Sequence, residues 1–195
     1  MIFRIAGPVG ALVLSACTVS TPATRSISLA DGAIIARTPD GYCVDENISI
    51  AADGFAVLAP CATLGVEAPP PALVGVATVQ VGAPESGSVD GTEAALRDFL
   101  ITDAGTALLS ASGQSENVEI LSMQAFGNQV MVYFDDQGPQ SVAGLQREEW
   151  RAFTDVGGRL VTIAVRGLAA APLGEGPGAT LLKRVLAGIS ATTEI

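Results

Sequence analysis

The chain has 195 residues, 49% of them apolar and 5% aromatic, enough for one core built mainly from alanine, valine and leucine. Twenty acidic residues against ten basic ones give a formal net charge of −10, a field that repels nucleic acid and anionic membrane surfaces and favours solubility. Histidine is absent, which removes the usual general base, the Ser–His nucleophile pair and the commonest transition-metal ligand together.

Met1-Ile2-Phe3-Arg4 carries one positive charge, and the segment from Ile5 to Ser15 carries none. This is the charged n-region and apolar h-region of a secretory signal, well short of the ~20 residues a membrane span needs. Small Ser15 and Ala16 would suit an ordinary cleavage site, but a plain signal has no reason to place Cys17 directly after it. Leu14-Ser15-Ala16-Cys17 resembles the lipobox of bacterial lipoproteins. The resemblance implies removal of residues 1–16 and acylation of Cys17, with more than one chain for a firm anchor. Because Thr18 is not aspartate, it also implies the outer membrane of a Gram-negative cell, facing the periplasm.

Residues 17–30 read as the lipidated cysteine and a flexible tether of Ser, Thr, Ala and Pro, and residues 31–195 as a single domain. Ala33 to Arg37 is a strand candidate, and Thr38-Pro39-Asp40-Gly41 has turn chemistry. Tyr42-Cys43-Val44 and Phe55 to Leu58 look like neighbouring strands. With Cys17 acylated, Cys43 and Cys61 are an even pair in an oxidising compartment, and a disulfide is expected. Closing a loop of that size contributes ~3 kcal/mol. Redox-active dithiols usually sit two residues apart, which favours a structural staple.

Ala68-Pro69-Pro70-Pro71 reads as an exposed connector and Val74 to Val81 as a β-branched strand. Asp90 and Glu93 have capping-box spacing ahead of a helix with Ala95, Leu96, Phe99 and Leu100 on one face. Thr102-Asp103 can cap a second helix carrying Ala104, Leu108 and Leu109. Val118 to Ala125 and Gln129 to Phe134 form a hairpin about Gly127-Asn128, the second strand apolar on both faces. Trp150 to Asp155 and Arg159 to Gly167 form another about Gly157-Gly158. Pro177, near a helix start, precedes a stripe of Leu181, Leu182, Val185, Leu186 and Ile189. The order predicts an α+β domain with a mostly antiparallel sheet packed by helices.

Trp150-Arg151-Ala152-Phe153, Gly158-Arg159-Leu160-Val161-Thr162 and Gly41-Tyr42-Cys43-Val44-Asp45 resemble segments of a proteobacterial envelope lipoprotein family. The element order is also similar to the PsbP-like α/β/α sandwich of photosystem extrinsic proteins. These resemblances imply a binding or assembly module, not a named activity.

Gly174-Glu175-Gly176-Pro177-Gly178 lacks the spacing of a nucleotide-binding glycine loop, and Pro177 removes an N–H that an anion would use. It reads as a connector into the helix. Asp135-Asp136 is a weak metal candidate, since strand neighbours face opposite sides unless the chain turns there. Glu148-Glu149 reads as a solvent-facing run. Thr180 and Lys183 have the spacing of a hydroxyl–lysine pair, but Lys183 belongs most naturally in solvent. Trp150 suits either an interface anchor or a cover for the sheet. Arg151 and Arg159 are candidate binding residues; with Arg166 they lie on the last hairpin, where alternation does not require them to form a single patch. No catalytic constellation or cofactor motif stands out. The sequence therefore points to a non-enzymatic, lipid-anchored envelope protein with a protein partner, the alternative being a periplasmic small-ligand or metal-binding module.

Overall fold

Two antiparallel sheets organise the chain. The computed structural model describes residues 24–192. Ser26–Leu29 (β1), Ile34–Arg37 (β2) and Ile189–Ala191 (β10) form a small sheet with β2 in the middle. The large sheet has seven strands: Tyr42–Val44 (β3), Phe55–Pro60 (β4), Gly75–Val81 (β5), Val118–Phe126 (β6), Gln129–Asp136 (β7), Glu148–Val156 (β8) and Arg159–Gly167 (β9). Their spatial order is β3-β4-β5-β9-β8-β7-β6. Helices Glu93–Leu100 (α1) and Asp103–Leu109 (α2) precede β6, and Glu175–Leu186 (α3) follows β9. The domain is the α+β type expected.

Period-two alternation gives the large sheet two apolar faces. On one, Met131, Trp150, Ala152, Ile163 and Val165 meet Leu181, Leu182 and Val185 of α3 and Leu29 and Ile34 of the small sheet. On the other, Val130, Val132 and Phe134 meet Leu100 of α1 and Leu109 of α2. Strand β7 thus serves both cores, as its doubly apolar sequence requires. Burying each leucine or valine of α3 contributes ~1.5–3 kcal/mol.

The β6–β7 hairpin closes on Gly127 and Asn128 at φ 60° and 62°. This left-handed pair matches the twist of the flanking strands, and glycine and asparagine tolerate it best. Cys43 and Cys61 are joined in a disulfide, so the β3–β4 staple is present.

Several local expectations give way to tertiary contacts. Ser26–Leu29, assigned to the tether, is strand β1: Ile27 and Leu29 alternate apolar along it and pair with Ala36 and Ile34. The residue preceding α1 is Thr92, and Asp90 caps nothing. Instead, the Asp155 carboxylate on β8 accepts from the backbone N–H groups of Ser88, Val89 and Asp90 at 3.0, 2.7 and 2.9 Å. Glu93 accepts from Asn128 N–H rather than closing a capping box. Phe99 and Leu108, expected inward, are exposed. Ile189 leaves the α3 stripe and enters β10, because the chain turns at Gly188 to pair with β2.

Candidate functional site

The helical cover on the second face is uneven. Helices α1 and α2 lie over β6 and β7. Farther across the sheet, Val76 and Thr78 of β5 stand opposite Arg166 and Ala164 of β9, all partly exposed. The loop between β7 and β8 brings Ser141, Val142 and Leu145 beside them, forming a cavity of about 180 Å³. Val142 is itself more than half exposed at its rim.

The cavity is also lined by charged groups. Glu149, on β8, is 2% exposed. Its Oε1 accepts from Arg151 Nε at 2.7 Å and lies 2.6 Å from Arg151 Nη2, while its Oε2 accepts from Arg166 Nε at 2.5 Å. Arg151 Nη1 donates to the Leu108 carbonyl at 3.0 Å, and its guanidinium lies 5.2 Å from the Phe134 ring centroid, a cation–π contact. Arg166 Nη1 donates to Gln140 Oε1 at 2.5 Å; among the described residues Arg166 Nη2 takes no hydrogen-bond partner. The arginine side chains are 17% and 12% exposed. One carboxylate held between two guanidinium groups leaves one surplus positive charge in a protein of net charge −10. Hydrogen-bonded at both oxygens to cations, the Glu149 carboxylate holds the two guanidinium groups in place beside the cavity.

The sequence places Glu149 in a solvated run, whereas the structure buries it. Its spacing carried a signal: residues 149 and 151 share a strand face, and β8–β9 pairing brings Arg166 onto the same face. Arg151 therefore belongs to this cluster, but Arg159 does not. Arg159 points to the opposite face near the β8–β9 turn and donates to the Gly82 carbonyl at 2.9 Å. Trp150 is 2% exposed, stacked on Tyr133 at 5.1 Å, and donates from Nε1 to the Glu175 carbonyl at 2.8 Å. It is a core residue under α3, not an exposed anchor.

Asp135 and Asp136 do not converge. Asp135 shares a face with Tyr133 and pairs with Arg147 at 3.1 Å; Asp136 lies on the other face and accepts from Ala111 N–H at 2.7 Å and Gly138 N–H at 3.0 Å. The buried Asp135 Oδ1 has no hydrogen-bond partner, and burial first of all pushes this carboxyl above its ordinary pKa. Among the described residues no three His, Cys, Asp or Glu side chains are grouped to hold a metal ion. Lys183 is exposed on α3, and Thr180 donates to the Gly176 carbonyl at 2.9 Å. Cys17 lies outside the described residues. No helix among them is long and apolar enough to cross a membrane.

The sequence matches no protein-family model and no curated relative. Solved structures of similar outline include a Mog1 variant, 12% identical over 84% of this chain and 93% of its own, with a TM-score of 0.48. The Ran-binding protein Mog1p of Saccharomyces cerevisiae is 11% identical over the same shares, with a TM-score of 0.47. Cyanobacterial PsbP (CyanoP) of Synechocystis is 12% identical over 92% of this chain and 99% of its own, with a TM-score of 0.45.

Proposed function

We propose that this chain is an outer-membrane lipoprotein, acylated on Cys17, whose α+β domain is a non-catalytic module that docks another envelope protein. The docking surface is the strip of β5 and β9 left partly exposed beside α1 and α2. The observation that carries this reading is the uneven cover: a partly exposed shelf of Val76, Thr78, Gln80 and Ala164 surrounds a tightly ordered arginine–glutamate cluster. Exposed Val142 adds an apolar rim. The lipobox supports the anchor, and the Cys43–Cys61 disulfide fits an oxidising compartment.

Two measurements test the two parts. Cells fed a clickable fatty acid should label the wild-type protein and not Cys17→Ala; equal labelling removes the anchor. For docking, a photo-crosslinking residue in place of Gln80 or Val142 should give one discrete adduct in cells, whereas one in place of exposed Lys183 on α3 should not. Adducts of equal yield from both faces would remove the docking surface.

A further inference from the structure

We propose that the cavity beside Glu149, Arg151 and Arg166 receives one carboxylate side chain from the docked protein, an inference that rests on the docking reading above. The cluster is one negative charge short of neutrality, and its arginines are largely withdrawn from water. Removing a charge from water is costly unless a counter-charge is supplied in good geometry. Glu149 is already engaged at both oxygens, and the other residues lining the cavity bring no further acid. An incoming carboxylate would complete the charge and could take a charge-assisted bond from Arg166 Nη2.

Size and lining narrow the occupant. A cavity of about 180 Å³, walled by Val76, Val142, Leu145 and Ala164, suits a short aliphatic stem carrying one polar head. Thr78 and Ser141 bring hydroxyls that can bind the same head. These are the properties of a glutamate side chain on a segment crossing the shelf. The protein's overall field repels acidic partners, so a lone acid on an otherwise neutral segment is favoured at this spot and disfavoured elsewhere on the surface.

The test follows the arginine Nε–H signals of the full-length protein by NMR during titration with capped tripeptides. Acetyl-Ala-Glu-Ala-amide should shift the Arg151 and Arg166 signals saturably, at least about tenfold more tightly than acetyl-Ala-Gln-Ala-amide, a difference of about 1.4 kcal/mol. Acetyl-Ala-Ala-Ala with a free C-terminal carboxylate should bind more weakly than the glutamate peptide. Arg166→Gln should abolish the response, and Glu149→Gln, which raises the local positive charge, should strengthen it. Because both variants disturb the ion cluster, Ala164→Leu is the control: it fills the cavity without removing a charge and should lose binding at unchanged Tm. Equal binding of the glutamate and glutamine peptides, or retained binding in folded Ala164→Leu, overturns the proposal. Preference for the free C-terminus overturns the side-chain occupant. Discrete adducts from position 80 without peptide binding would leave docking standing and remove only this inference. Peptide binding without any adduct would remove the docking reading and the occupant named here.

Discussion

Tyr42 shows how one buried polar atom ties loop to strand. Its hydroxyl donates to the Leu73 carbonyl at 2.9 Å and accepts from Gly75 N–H at 3.0 Å, fixing the approach to β5. Burial pushes its pKa up to about 12 from 10.0. The neutral form is therefore favoured in the folded state, so this stabilisation is complete below pH 10 and declines as pH rises through about 12. Tyr42→Phe should lower stability at neutral pH by about 1–3 kcal/mol and flatten the alkaline loss, measured by urea unfolding from pH 8 to 12. Asp135 has a raised pKa too, but with the opposite consequence at neutral pH. Its favourable contribution exists while it is protonated and is lost as pH rises past the usual carboxylate value. Asp135→Asn should consequently raise stability at pH 7 by about 1 kcal/mol, since the Arg147 pair it gives up is half exposed on the arginine side. That advantage should vanish near pH 3, and no change at pH 7 would remove the burial argument.

Among the elements, α3 is seated by a missing side chain. A Cβ on Gly178 would lie 2.6 Å from Trp150 Cδ1, so the helix reaches the indole only because this position is bare. Gly178→Val should cost about 1–3 kcal/mol by forcing helix and tryptophan apart, visible as a fall in Tm and a shift in tryptophan fluorescence. Reducing the Cys43–Cys61 bond should cost ~3 kcal/mol, and replacing both cysteines by serine should cost a similar amount. The elements most legible in the sequence were those with strong local chemistry. Asn128 and Gly127 specified their hairpin, and Leu181, Leu182 and Val185 specified the buried stripe of α3. The misses have a common cause. Asp90, Glu93 and Ile189 look suited to their helices when read alone, but long-range partners decide what each one does. Asp155 takes the Asp90 N–H that Glu93 would use to close a capping box, and β2 claims Ile189. Glu149 is the costliest miss: Arg151 lies two residues on, but its second partner, Arg166, reaches it only through strand register.

For the whole molecule, β7 is the link between two cores. Met131 packs on the α3 side while Val130 and Val132 pack under α1 and α2. Loss of either core strips one side of the same strand, so the domain should unfold as one cooperative unit. Leu182→Ala on one side and Leu109→Ala on the other should each cost about 2–5 kcal/mol. Both should still give one calorimetric transition, with tryptophan fluorescence and backbone circular dichroism changing together. A separated early transition in either variant would show that the cores are independent.

The small sheet gives the molecule a mechanical property. Strands β1 and β10 both run antiparallel to β2 and therefore point the same way, flanking it: Ile27 and Ile189 both stand opposite Ala36. The chain enters at the start of β1 and departs at the end of β10, toward the opposite end of the sheet. Tension drawn between residues 26 and 191 along that axis would slide the flanking strands against β2 and load their hydrogen bonds together, rather than peel them away one at a time. A body held this way at its two ends would yield abruptly under stretch, like a clasp and not like a zip.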